Sequence, residues 1–112
     1  MKNIANLRII IRKNNQADFS GKLDTVLSEL GCIKIKEKTS EEYWKDKSRA
    51  EITYFFEETK QPLSAWEALF EKTVGTYTVE RDNEFTTLEH FCSLEDENGI
   101  FAVLNIPSVF IE

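Results

Sequence analysis

The chain has 112 residues, of which 41% are hydrophobic and 30% are charged. This length suits one domain with a single core, and the composition, which includes eight Phe, three Tyr and two Trp, argues against wholesale disorder. No apolar run approaches the roughly 20 residues of a membrane-spanning helix. Two cysteines do not make a disulfide framework. We therefore expect one folded domain over residues 1–112, in a reducing cytoplasm.

The net charge of −6 is unevenly distributed along the chain. Residues 1–50 carry 11 Lys and Arg against 7 Asp and Glu, a net of +4. Residues 51–112 carry 3 against 13, a net of −10. An asymmetry of this size predicts an electrostatic face. The acidic half argues against a protein that binds nucleic acid over its whole surface, and it favours a basic partner.

The first half of the chain has the pattern of a β-α-β-β unit. Residues 7–13 form a short Ile-rich run that predicts a strand, and apolar residues then recur from Phe19 at the spacing of an amphipathic helix. Residues 32–38 alternate Ile with Lys, as a lysine-protected edge strand does. A polar connection that contains Trp44 leads to an aromatic strand at 50–58.

The second half repeats this plan. A helix is predicted after Pro62, with Gly75 at its end and an apolar stripe that includes Trp66 and Phe70. Three strand patterns follow, over 76–82, 84–92 and 100–106. Asn98-Gly99 is typical of a two-residue hairpin turn, because both residues tolerate positive φ.

These elements follow the order β-α-β-β-α-β with an extra C-terminal hairpin. We predict an α+β fold, a ferredoxin-like split β-α-β sandwich with both helices on one face of a mainly antiparallel sheet. The strands at 7–13 and 50–58 would lie at its centre, the strand at 32–38 at one edge, and the acidic 77–92 region with its hairpin toward the other. The predicted core comprises Phe19, Leu23, Leu27, Leu30, Trp66, Leu69, Phe70, Ile9, Ile11, Ile33, Ile35, Ile52 and Tyr54.

Reactive side chains are present, but their spacing is typical of neither catalysis nor metal binding. His90 and Cys92 are two residues apart on a strand, about 6.6 Å, which is too far for a nucleophile to contact its base. With Cys32 they offer three ligands without the close spacing of a zinc site. No calcium-loop or phosphate-loop pattern is present. We expect no enzyme activity, no metal and no cofactor.

The open face of the predicted sheet suggests nucleic-acid binding as an alternative. Arg8, Arg12 and Phe55 would share that face with Lys34, Lys36 and Lys38, and cations interleaved with aromatic rings can hold stacked bases. The RNA-recognition signature is absent, however, and Glu51 and Glu57 would share the same face and repel phosphate. We therefore expect no nucleic-acid partner.

Acidic residues of the second half are the main candidates for partner binding. The Asn98-Gly99 turn would hold an acidic triplet at a hairpin tip and lower the entropy of ordering it on binding. Solvated surface charge is the alternative for each acidic cluster. Trp44 is either an exposed interface anchor or a ring folded back over the core. The predicted partner-binding residues are Glu95, Asp96, Glu97, Glu57, Glu58, Glu80, Asp82 and Trp44.

The size, acidity, α/β plan and absence of catalytic motifs resemble the small immunity proteins of bacterial toxin systems, including those of contact-dependent growth inhibition. The resemblance concerns the chain as a whole and transfers no individual residue. It implies a cytoplasmic inhibitor that binds one cognate toxin, often a basic nuclease, and blocks its active site. The alternative is a ferredoxin-like ligand-binding or regulatory module, monomeric or dimeric through its sheet edges.

Overall fold

A computed structural model describes residues 5–29, 35–57, 62–93 and 99–111. Six strands and two α-helices make up the described fold. They are β1 (Asn6–Arg12), α1 (Gln16–Glu29), β2 (Ile35–Glu42), β3 (Arg49–Phe56), α2 (Leu63–Glu71), β4 (Thr76–Arg81), β5 (Phe85–Phe91) and β6 (Phe101–Pro107). The predicted α+β class is confirmed.

The six strands form one antiparallel sheet in the order β2-β3-β1-β6-β5-β4. In β1, Ile9 lies opposite Ile52 of β3 on one side and Ala102 of β6 on the other. The two strands predicted for the centre are therefore neighbours, and β2 lies at an edge. The predicted extra C-terminal hairpin is wrong in its position, because β6 is inserted between β1 and β5 instead of extending the edge.

Both helices pack against one face of this sheet. The hydroxyl of Tyr54 in β3 interacts with Ser20 of α1, and the ring of Phe56 in the same strand packs on Trp66 of α2 at 5.5 Å between centroids. Tyr54 and Phe56 are two residues apart and point to the same side. The predicted core residues that the structure buries are Phe19, Leu23, Leu27, Trp66, Leu69, Phe70, Ile9, Ile11, Ile52 and Tyr54.

Strand β2 differs from its prediction in both extent and register. It runs to Glu42, not 38, and its pairing with β3 shifts between Ile35 and Glu37. Ile35, predicted to be buried, is 37% exposed, because it lies at the start of an edge strand beside this irregularity. Leu30 and Ile33 of the predicted core lie outside the described residues.

The connection between β5 and β6 also differs from its prediction. A two-residue turn at Asn98-Gly99 would place residue 97 opposite Ile100, whereas the register places His90 opposite Ala102. Gly99 is buried and forms an isolated parallel bridge with Val74. The local turn signal was thus overridden by a longer connection between Phe91 and Phe101.

Candidate functional site

No described helix covers the sheet face opposite α1 and α2, which we call the open face. Side chains reach it from alternate positions of every strand, as the pleat requires. Its apolar members are Ile10, Phe55, Phe85, Phe91, Phe101 and Val103. Its charged members are Arg8, Arg12, Arg49, Glu37, Glu41, Glu51, Glu80 and Glu89. The open face therefore combines aromatic side chains with an excess of carboxylates.

One ion pair organises the centre of the open face. Arg8 donates from Nε to Glu51 Oε2 at 3.0 Å, across the β1–β3 ladder. This hydrogen bond raises the pKa of Arg8 above its ordinary value. Within the described part of the chain, Glu37 and Glu89 have no ion-pair partner. Carboxylates thus remain available to a partner on both sides of the central pair.

The loop between β2 and β3, residues 43–48, is built by its own hydrogen bonds. The Asp46 N–H donates to the Tyr43 carbonyl at 3.2 Å, and the Arg49 N–H donates to the Asp46 carbonyl at 3.0 Å. The Asp46 carboxylate accepts from the hydroxyl and the N–H of Ser48, and these bonds lower the pKa of Asp46. Lys13, which directly follows β1, donates its N–H to the Ser48 carbonyl at 3.0 Å. The β2–β3 loop is therefore a defined structure attached to the sheet.

This loop presents Trp44 to solvent. The indole is 77% exposed, which resolves the alternative left open by the sequence: the ring does not fold back over the core. The Tyr43 ring lies 6.2 Å from it between centroids, and the Lys45 ammonium lies 4.9 Å from its ring centre. Tryptophan is enriched among residues that dominate protein–protein binding energy. Trp44 is thus an exposed aromatic side chain on an ordered loop.

A cavity of about 710 Å³ lies between the β2–β3 loop and the open face. Ile10 and Phe101 supply apolar surface, and the buried guanidinium of Arg49 lies with its Nε 3.4 Å from Asp46 Oδ2. The remaining lining residues are Tyr43, Lys45 and Cys92. Cavities of this size, apolar with a few polar groups, are typical of small-molecule sites and also accept side chains of a partner.

The predicted partner-binding residues do not form one patch in the structure. Trp44 lies at the end of the sheet where β5 ends and β6 begins, and its neighbours Tyr43 and Lys45 line the cavity. Glu57, Glu80 and Asp82 are exposed, but Glu57 and Asp82 follow β3 and β4 at the opposite end of the sheet. Glu58, Glu95, Asp96 and Glu97 lie outside the described residues.

Asp82 stabilises the turn between β4 and β5. Its Oδ1 accepts hydrogen bonds from the backbone N–H groups of Glu84 and Phe85, both at 2.8 Å. These two bonds hold the pKa of Asp82 below its ordinary value. The side chain thus stabilises the connection from β4 to β5, as aspartate does in many turns.

His90 has the environment of a core residue. Its Nδ1 lies 2.9 Å from the Ile100 carbonyl, which can only accept, so Nδ1 carries the proton. The ring packs on Phe70 at 5.4 Å between centroids, away from the open face. Among the described residues, no group of three His, Cys, Asp or Glu side chains is placed to hold a metal ion. Cys92 is half-buried, and Cys32 lies outside the described residues.

Sequence reasoning missed the apolar side chains that β5 and β6 contribute to the open face. Phe91 is 45% exposed and Val103 is 36% exposed, yet neither was a candidate. The available signal was the apolar run 100–104, whose residues must point to both faces of a strand. A strand with apolar residues on both faces indicates a second surface to be covered.

Comparison of the chain with protein-family models, curated proteins and solved structures finds no match. In the part of the chain that the structure describes, neither helix has the length and apolar character needed to cross a bilayer.

Proposed function

We propose that this protein is an immunity protein, a cytoplasmic inhibitor that binds and neutralises a cognate bacterial toxin. The observation that carries the proposal is the exposed Trp44 ring beside an uncovered sheet face with aromatic and acidic side chains. The protein acts by occupying the toxin's active site, without catalysis, cofactor or nucleic acid of its own.

Apolar burial supplies the affinity in this proposal. Trp44 and Phe91 are large exposed side chains at the same end of the sheet, and their burial against a partner removes apolar surface from water. The β2–β3 loop is already ordered by its hydrogen bonds, so little entropy is lost when Trp44 binds. A stable complex needs about 800 Å² on each partner.

In this proposal, the carboxylates of the open face determine which class of toxin binds. A nuclease presents a basic surface to phosphates, and the carboxylates of the open face can occupy such a surface. The net charge of −6 also favours fast encounter with a basic protein at low salt. We therefore propose a basic, nuclease-type toxin as the partner.

We also propose a more specific fold than the α+β class. We propose that the fold is an elaborated ferredoxin-like split β-α-β sandwich. Its framework comprises β1, α1, β2, β3 and the connection through α2. The order β2-β3-β1, in which β1 and β2 are each antiparallel to β3, supports it. The sheet has six strands where the simple plan has four. β6 takes the fourth place, beside β1, and the two additional strands are β5 and β4.

Co-production with a toxin tests the function. The toxin domain is taken from the reading frame next to this gene, and growth of cells that produce both proteins is measured. We expect the wild-type protein to restore growth and Trp44→Ala to lose protection. Val109→Ala is the matched control, because Val109 is 62% exposed beyond β6 at the opposite end of the sheet. Full protection by Trp44→Ala, or no toxin neutralised by the wild type, would contradict the proposal.

The cavity favours a second candidate function, a ligand-binding or regulatory module. Its volume of about 710 Å³ and its mixed lining suit a small molecule with an apolar body and an anionic group facing Lys45. Thermal unfolding with and without the apolar anion 8-anilinonaphthalene-1-sulfonate tests it. A saturable rise in Tm that Phe101→Ser abolishes would favour this candidate, and an unchanged Tm would exclude this ligand class.

A further inference from the structure

Strand β4 is an edge strand that contains no Pro, Lys or bulge to discourage pairing. It pairs with β5 in one continuous register from Thr76 to Arg81, and no described strand lies on its other side. Its sequence, TYTVER, contains no Pro and no Lys, and is rich in residues that favour strands. Such an edge presents a row of N–H and C=O groups to any strand that fits.

The opposite edge of the sheet is protected. The pairing of β2 with β3 is irregular between Ile35 and Glu37, and bulges discourage the addition of a further strand. β2 also carries Lys38, whose ammonium lies over the Tyr54 ring at 5.5 Å. The two edges therefore differ in chemistry, and β4 is the one open to pairing.

The helix-facing side of β4 carries complementary charges. The Tyr77 hydroxyl donates to Glu71 Oε1 at 2.9 Å and lies 3.2 Å from Glu67 Oε2, so two carboxylates of α2 share one hydroxyl. Arg81, four residues along the same side of the strand, is exposed and has no ion-pair partner within the described chain. An acidic pair and a cation thus stand at opposite ends of one short edge.

We propose that β4 pairs with β4 of a second copy of this chain, antiparallel about a two-fold axis at Val79. In this register Val79 faces Val79 of the other copy, and Arg81 faces Tyr77 of the other copy. Directly opposed side chains lie about 5 Å apart on the same face. The guanidinium therefore reaches the tyrosine ring and the Glu67–Glu71 pair, twice per dimer. A register centred on Glu80 would instead oppose two carboxylates.

This dimer goes beyond the proposed function and does not depend on it. The β2–β3 loop with Trp44 lies at the other side of the sheet, and β4 is separated from β2 by five strand spacings, about 24 Å. The two Trp44 side chains of a dimer would therefore both remain accessible to a toxin. The pairing is short, so we expect a weak, concentration-dependent dimer.

Sedimentation velocity of the purified full-length protein, from micromolar to millimolar concentration, tests the proposal. We expect a dimer for the wild type, and at least about a tenfold loss of dimer affinity for Val79→Lys and for Val79→Glu alone. An equimolar mixture of the two variants should restore the dimer, because the ammonium of one then faces the carboxylate of the other. Val103→Lys is the matched control: Val103 is also 36% exposed but lies on an inner strand.

Three results would overturn the proposal: a wild-type protein that stays monomeric at every concentration, a Val79→Lys variant that dimerises like the wild type, or a mixture that stays monomeric. Far-UV circular dichroism establishes that each variant is folded. If either Val79 variant is unfolded alone, Arg81→Glu replaces it, since Arg81 is exposed and its reversal should also lower dimer affinity about tenfold. Wild-type dimer affinity in that variant would equally reject the register.

Discussion

Gly75 holds the junction between α2 and β4 in a conformation that other residues rarely adopt. Its φ is +129°, and a Cβ at this position would overlap the Phe91 carbonyl oxygen and lie 2.7 Å from His90 Cε1. Backbone strain and overpacking together should make Gly75→Ala less stable by about 2–5 kcal/mol in urea unfolding. Gly21→Ala is the control, because nothing lies within 4 Å of its added methyl group in α1. It should gain about 0.5–1 kcal/mol. Equal stability of the two variants would contradict this role.

Tyr77 links the stability of the fold to alkaline pH. Its hydrogen bond to Glu71, with partial desolvation and the bond to Glu67, raises its pKa from 10.0 to about 12. A raised pKa means that the fold favours the neutral phenol, so this contribution is present in full below pH 10 and is lost as pH rises toward 12. Tyr77→Phe should flatten that part of the decline of unfolding free energy with pH.

Urea midpoints from neutral pH to pH 12, for the wild type and Tyr77→Phe, measure this effect. Tyr43→Phe is the control, since Tyr43 contacts Trp44 in the β2–β3 loop and neither glutamate. If the unfolding free energy declines equally with pH in all three proteins, ionisation of the Tyr77 hydroxyl does not affect the stability of the fold.

At the scale of elements, the sequence correctly predicted the helices and strands whose apolar residues recur with one dominant period. Helix α1 was predicted from Phe19, although it begins at Gln16, and β1 and β3 were predicted as neighbouring central strands. Strand β2 was misjudged because an edge strand is held from one side only, and its alternating Ile and Lys residues fixed neither its end nor the register of its pairing. Apolar periodicity arises from burial, and the residues of an edge strand are less buried, so their pattern predicts less.

The β5–β6 connection shows the limit of a local turn signal. Asn98-Gly99 favours a tight turn, but the register that buries Leu88 and Leu104 together determines which residues lie opposite each other. Burial of these side chains outweighs a turn preference. The candidate site was affected in the same way. An open face was predicted from β1 and β3, but the apolar side chains that β6 adds to it, and the cavity that Phe101 lines, depend on the place of β6 beside β1.

The packing of α1 on the sheet gives a prediction about one side chain. Leu27 is buried in the core, whereas Ser28, next in the helix, is exposed. Leu27→Ala should lower the free energy of unfolding by roughly 2–5 kcal/mol, through lost apolar burial and the cavity left behind. Ser28→Ala should change it by no more than about 0.5 kcal/mol. A loss below about 0.5 kcal/mol for Leu27→Ala, measured by urea unfolding, would place this stripe outside the core.

At the scale of the whole molecule, the charge asymmetry of the sequence does not become a simple split in space. The acidic half of the chain supplies α2 and β4 to β6, but β6 pairs with β1 from the basic half. On the open face, Glu37 and Glu41 from the first half therefore join Glu89 from the second. The acidic character of this face is a product of topology. Its role in recognition can be tested by removing the same number of carboxylates from this face or from elsewhere on the surface.

Two triple variants make that test, each of which changes the net charge from −6 to −3. In the first, Glu37, Glu41 and Glu89 of the open face become Gln. In the second, the exposed residues Asp18, Asp24 and Glu84, which lie on α1 and in the β4–β5 turn, become Asn, Asn and Gln. Because all six side chains lie at partly or fully solvated positions, we expect both variants to fold with a Tm close to that of the wild type.

Association with the toxin domain from the neighbouring reading frame should distinguish the variants. Carboxylates that face the basic surface steer encounter, so the open-face variant should associate about tenfold more slowly at low salt and show a weaker dependence of rate on salt. The second variant has the same net charge but an intact open face, and it should retain most of the wild-type rate. Stopped-flow association rates over a salt series provide the measurement. Equal slowing of both variants would mean that net charge alone governs encounter, and a loss confined to the second would place the toxin on the helix-bearing side of the sheet.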